Sequence, residues 1–215
     1  MLLVIETSSD PFQIALGAKS GVLFDSRHAI ELSESRDLAR ALVTGLKQLG
    51  ASTNDLNGIA LDIGPGGLSY IRSGVSFANA LAFSLHIPIY AFNSFQIMGS
   101  EARQRTSLPV LCGIGAASGL AYVALVNDAS LVNVRFGLLS SAIAELSKGL
   151  PAIAVAGKIR HQVSDLLPGV DVIDTGIERP NAPVLLDLAI RAVENRDGSL
   201  ELATPLNEEA AIFYA

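Results

Sequence analysis

The chain has 215 residues, half of them hydrophobic, enough to bury a substantial core as one domain or as two small lobes. Fifteen Lys and Arg stand against 21 Asp and Glu, a net charge of -6 with no long basic run, which argues against strong direct binding to nucleic acid. No apolar window approaches the ~20 residues of a bilayer span, and the apolar run at 2–5 is too short for a signal peptide and ends in Glu6, so the reading is a cytoplasmic protein with no membrane segment.

Three short strands open the chain, at 2–5, 12–17 and 22–25, with Gly21 of "KSG" turning the second into the third. A helix over 35–49 follows, with Leu38, Leu42, Gly45, Leu46 and Leu49 on one face and Arg36, Arg40, Val43 and Lys47 on the other. The run 58–63 is apolar enough for a buried strand. "GPGG" then leads into a helix that continues to about Leu85 and stops ahead of Pro88, which disfavours a helical predecessor. A strand at 89–91 and a helix at 94–103 precede the polar "RQRTSLP", which marks a lobe boundary and divides the chain into 1–105 and 106–215.

The second half begins again with strands at 110–114, 120–126 and 131–136. Helix 141–148, strand 152–155, helix 159–166 and strand 170–174 come next, and a last helix over 182–195 carries Pro183 in its first turn. The two halves share an element order without repeating a sequence. This is a duplicated mixed α/β unit in which antiparallel meanders and parallel pairings across helices coexist.

A phosphate grip needs backbone N–H groups converging at a helix N-terminus, usually with a cation or a metal-holding carboxylate beside them. Gly64, Gly66 and Gly67 supply the first part, yet the loop is neither GxxxxGK[ST] nor GxGxxG. The first hairpin turn holds Glu6, Thr7, Ser8, Ser9 and Asp10, which suits either Mg²⁺ bound through water or a plain polar turn. The matching turn of the second half, "GIGAASG" at 113–119, has no carboxylate, base or cation, which counts against a working kinase or ATPase. Cys112 in "VLCGI" reads as a buried small hydrophobe, and His28, His86 and His161 have no metal-ligand spacing. His86 reads as a helix-terminal residue near free carbonyls. No catalytic residue and no metal site is assigned.

On a helical wheel the segment from Tyr70 gathers Tyr70, Ile71, Gly74, Val75, Ala78, Leu81, Ala82 and Leu85 on its core side. Arg72, Ser73, Ser76, Asn79, Ala80 and Phe83 collect opposite, with Phe77 at the border. That outer side is nearly uncharged, as the centre of a protein interface is. Two coverings satisfy the pattern: a partner molecule, or the protein's own 35–49 or C-terminal helix.

"VIETSS" after the first strand, the long "IGPGGLSYIRSGVSFANALAFSLHIPIYAFNSFQ" from Ile63 to Gln96, and "GLAYVAL" from Gly119 together resemble one family, the bacterial TsaB (YeaZ) proteins. The resemblance covers about the first 125 residues. It implies a two-lobed actin-like (ASKHA, ribonuclease-H-like) α/β fold of duplicated mixed sheets flanked by helices. It also implies a non-catalytic subunit that pairs with a TsaD-like paralogue, with a TsaE-like ATPase in the complex, in threonylcarbamoylation of a tRNA adenosine beside the anticodon; alone, such a subunit forms a homodimer. The implied contact uses the first-lobe helices at about 35–49 and 69–85. No cofactor is then bound tightly by this chain; ATP and Mg²⁺ belong to the partner or to the heterodimer interface, and Glu6, Thr7, Ser8, Gly64, Gly66 and Gly67 form a vestigial phosphate loop. The sequence departs from the family at Glu6, where an Asp is usual, at Gly67-Leu68-Ser69-Tyr70, at Asn79, where a lysine is usual, and at Gly115-Ala116-Ala117-Ser118. The alternative is an independent ATP-binding kinase or ATPase of the same superfamily.

Overall fold

The computed structural model describes residues 1–32, 34–127 and 132–206. Two compact units emerge, Met1–Asn93 with Asn181–Pro205, and Ser94–Pro180. In the first, β1 (Leu2–Glu6), β2 (Gln13–Ala18) and β3 (Gly21–Asp25) form an antiparallel meander. β4 (Gly58–Asp62) runs parallel to β1, β5 (Ile89–Phe92) runs parallel to β4, and the two-residue β11 (Ser199–Leu200) closes the sheet against β5. β1 and β4 are buried along their whole length, which is why they read as continuous apolar runs, closed by Glu6 and Asp62, rather than alternating ones.

Alternation along the strands gives each face of this sheet its own helices. Leu3, Ile5, Ile14, Leu16, Ile59 and Leu61 share one core with α1 (Leu38–Gln48) and α2 (Leu68–Leu85). The opposite face is covered by α6 (Ala182–Asn195), whose Leu186 packs so closely over Gly17 that a side chain there would collide with it.

The second unit repeats the plan. β6 (Val110–Gly115), β7 (Leu120–Val126) and β8 (Val132–Leu138) form the meander, and β9 (Ala152–Ala156) and β10 (Asp171–Asp174) extend it in parallel from β6. α3 (Ser94–Arg103) packs on one face through Phe95, Met98 and Ala102, and α4 (Leu139–Leu146) and α5 (Arg160–Leu166) on the other through Ile143 and Val163.

Two readings of the sequence are corrected. The chain changes unit at Asn93–Ser94 and again at Pro180–Asn181, so the boundary expected at 105/106 assigns α3 and α6 to the wrong sheets. Polar linkers marked the break, whereas apolar faces decide the packing: α3 lays Phe95 and Met98 on β6, and α6 lays Leu185 and Leu186 on the first sheet. α1 starts at Leu38 rather than at 35, because the Asp37 carboxylate accepts from the Arg40 N–H at 2.9 Å and caps the helix there. Leu131, the expected start of β8, lies outside the described residues.

Candidate functional site

The turn after β1 is tied together by one carboxylate. Glu6 is fully buried. Its Oε1 accepts from the Ser8 hydroxyl at 2.6 Å and the Ser9 N–H at 3.0 Å, and its Oε2 from the Ser9 hydroxyl at 2.7 Å and Arg27 Nη2 at 2.6 Å. Arg27 is placed by the residues after β3. Asp25 accepts from the Arg27 N–H at 2.9 Å, and Gln13 Nε2 holds the other Asp25 oxygen at 2.7 Å. Neither Arg27 nor Gln13 was found from sequence; the signal was a basic residue after a strand, with nothing local to link it to Glu6.

The glycine loop is filled by the protein's own chain. A Cβ on Gly66 would lie 2.5 Å from the Ser8 carbonyl oxygen and 2.7 Å from its Cα, and the Gly67 N–H donates to that carbonyl at 3.4 Å. The Gly64 N–H donates to Asp62 at 2.8 Å. Nearly two turns into α2, Gly74 lets the buried Thr7 approach, and the Thr7 hydroxyl has no hydrogen-bond partner among the described residues. The predicted loop residues Glu6, Thr7, Ser8, Gly64, Gly66 and Gly67 are thus brought together, packed on one another. As a grip for Mg²⁺ and phosphate they do not fit: the carboxylate takes four internal hydrogen bonds, and the space before Gly66 holds Ser8.

The helix faces divide as the wheel indicates. Ile71, Gly74, Val75, Ala78 and Ala82 are buried, while Arg72, Ser73, Ser76, Ala80 and Phe83 are exposed, Phe83 to 84%. Phe77 is half-buried against the core. Asn79 is differently employed: its side-chain amide donates to the Ala203 carbonyl and accepts from the Ala203 N–H, both at 2.9 Å, and so holds the segment after β11 along α2. Part of this helix flank is therefore covered by the chain itself. On α1, Arg40, Val43 and Lys47 are exposed, Val43 to 63%. Arg36 lies ahead of the helix. Its guanidinium donates to Asp10, from Nε at 3.0 Å, and rests 4.8 Å from the centre of the Tyr70 ring; the Asp10 hydrogen bond holds its proton more firmly than usual. Tyr70 in turn meets Phe12 edge to face at 5.2 Å.

Other candidates resolve into structure. Cys112 is buried, and burial pushes its thiol up, so that it stays protonated. In the second unit the nearly buried Arg160 donates to Glu178 at 2.6 Å and lies 3.2 Å from Asp174, holding the Glu178 carboxyl below the usual range. Among the described residues no group of His, Cys, Asp or Glu is arranged to hold a metal ion, and no helix is long and apolar enough to cross a membrane.

Comparison with known proteins places this geometry. The family model described as TsaD, tRNA N6-adenosine threonylcarbamoyltransferase, matches residues 33–148. The tRNA threonylcarbamoyladenosine biosynthesis protein TsaB of Buchnera aphidicola is 26% identical over 123 residues, 57% of this chain and 58% of that one. TsaB of Bacillus subtilis is 30% identical over 102 residues, 47% of this chain and 44% of that one. The chain thus spans about half the length of the curated relatives it matches. The solved structure of YeaZ from Pseudomonas aeruginosa shares the fold, with a TM-score of 0.74 over 96% of this chain and 98% of that one at 21% identity. With two mixed sheets flanked by helices, in the actin-like (ASKHA) manner, and a family match over more than half its length, the chain belongs to the TsaD family as one of its TsaB/YeaZ members.

Proposed function

We propose that this chain is a non-catalytic scaffold subunit in the biosynthesis of threonylcarbamoyladenosine on tRNA, and that it docks the outward faces of α1 and α2 on a TsaD-like paralogue. The observation that carries this reading is the composition of those faces. The 18-residue α2 has Arg72 as its one charged residue, and its exposed side offers Ser73, Ser76, Ala80 and a largely bare Phe83. An apolar aromatic set among small residues suits the close approach of a partner helix. α1 adds Arg40, Val43 and Lys47. The two helices together carry three cations and no acid, so the complementary partner face is acidic at its rim and apolar at its centre. A TsaE-like ATPase joins through the paralogue, ATP and Mg²⁺ are held by the partner or at the heterodimer interface, and the site of action is the cytoplasm.

Phe83→Asp and Ala80→Glu test the assignment by co-purification with the TsaD-like protein of the same cell. Either variant is expected to weaken the complex by at least ~30-fold, the effect of losing ~2 kcal/mol at an interface anchor. Retention at the wild-type level by both variants would overturn the assigned face. Nucleoside analysis of tRNA after depletion of the chain then reads the pathway itself.

A further inference from the structure

We propose that the outward face of α2 is covered by the chain's own C-terminal segment, residues 207–215, and that a docking partner must displace it. The segment reads N-E-E-A-A-I-F-Y-A and follows Leu206, outside the described residues. Its composition complements the face. Arg40, Lys47 and Arg72 stand on the exposed sides of α1 and α2 with no ion pair among the described residues, whereas the segment opens on Glu208 and Glu209 and has no cation of its own. Phe83 is largely bare, Leu202 is 66% exposed, and the small residues Ser73, Ser76 and Ala80 leave room above the helix. The segment closes on Ile212, Phe213 and Tyr214, which supply apolar carbon for that room.

The described chain delivers the segment to this face. β11 pairs Leu200 with Ile89, just past the C-terminal end of α2, and a few residues later Asn79 grips the Ala203 backbone at both its N–H and its carbonyl. The strap therefore runs along α2 toward the helix N-terminus. Arg72 lies further on in that direction, about 10 Å from Asn79 along the axis at ~1.5 Å per residue. Glu208 and Glu209 follow Ala203 by about 17–20 Å of extended chain, so both reach Arg72 with slack. The remaining stretch to Ala215 spans up to about 20 Å against about 16 Å from Arg72 to Phe83, enough to bring Ile212, Phe213 and Tyr214 back over Ser76, Ala80 and Phe83. Tethering holds the segment beside the face at a millimolar effective concentration, so modest contacts suffice to cover it. The apparent affinity of a partner is then reduced by the fraction of molecules in which the face is bare. The covering stands by itself, and only its consequence for the partner rests on the docking reading above.

The test is the rate at which a maleimide alkylates the full chain carrying Ala80→Cys, since the native Cys112 is buried and stays protonated and so gives no background. Adding Glu208→Lys and Glu209→Lys expels the segment, and is expected to speed alkylation about fivefold. The same charge reversal without Ala80→Cys is expected to tighten binding of the TsaD-like partner by about the same factor, because the bare fraction sets both quantities. Arg72→Glu on top of the reversal restores the pairing with its signs exchanged, and alkylation is expected to slow again. An alkylation rate indifferent to the reversal, or one that stays fast when Arg72→Glu is added, overturns the proposal. So does protection that disappears on dilution, which would assign the covering to a second copy. Faster alkylation with unchanged partner affinity supports the covering and overturns the docking reading instead.

Discussion

His86 ends α2 in the left-handed conformation, with φ of 54°, and its backbone N–H donates to the Ala82 carbonyl. The sequence places this histidine at the helix end near free carbonyls; in the structure the main chain, rather than the ring, closes the helix. A residue with a Cβ pays about 1–2 kcal/mol in this region, a cost that glycine escapes. Glycine gives back part of that gain, about 0.4–1 kcal/mol, through the greater freedom of the unfolded chain. The exposed His86→Gly variant should therefore be more stable by about 0.5–1 kcal/mol, a rise of ~1–4 °C in melting temperature for a protein of this size, measured by calorimetry. A fall would show that the imidazole makes a contact worth more than the backbone strain. Arg196 closes α6 with the same φ of 54°, so the same argument applies to both long helices of the first unit.

At the scale of elements, what brings β1 and α2 together is two glycines that sequence reading takes for a phosphate loop and a helix face. Gly66 admits the Ser8 backbone, and Gly74 admits Thr7. In an ordinary exposed helix, Gly→Ala stabilises by about 1 kcal/mol. At Gly74 the new methyl meets Thr7 in a packed core, and overpacking costs about 1–3 kcal/mol. Gly74→Ala is therefore expected to lower stability in urea unfolding, the reverse of the usual sign, and Thr7→Ala beside it should recover part of the loss by removing the hydroxyl and methyl that the added Cβ would meet at 2.3 and 3.0 Å. Most helices and strands were legible because their patterns are local: the core side of α2 follows the helical period, and β1 and β4 are apolar runs up to a terminal carboxylate, Glu6 and Asp62. What was not legible depends on partners far away in the chain. Arg27 meets Glu6 across 21 positions and Asn79 meets Ala203 across 124, and no local pattern distinguishes these residues from solvent-facing ones. The two-residue β11 is too short to show a period at all. The exchange of α3 and α6 between the sheets escaped for a related reason, since an amphipathic helix states that it has a buried face but not which sheet buries it.

For the whole molecule, the proposed docking surface carries a sign opposite to that of the chain. Arg40, Lys47 and Arg72 give the outward sides of α1 and α2 three positive charges, on a protein whose net charge is -6. A twofold homodimer pairs a surface with itself, so self-association through these helices places like charges together, whereas an acidic partner is attracted. Salt separates the two: raising ionic strength from about 0.1 M to about 1 M shrinks the Debye length from ~10 Å to ~3 Å. If the chain self-associates through these helices, as the family resemblance implies, that homodimer should tighten and the heterodimer weaken over this range, both measured by sedimentation. The chain's overall negative charge alone would also make the homodimer tighten with salt, so a charge reversal is needed to locate the effect. Lys47→Glu makes the net charge more negative by two and therefore increases global repulsion, yet in a homodimer paired through these helices it would set an acid against a surface that carries Arg40 and Arg72. Tightening of the homodimer by Lys47→Glu at low salt, together with loss of the heterodimer, is the result expected if these helices are the contact. Weakening of both would show that self-association uses another surface, because only net charge would then be acting.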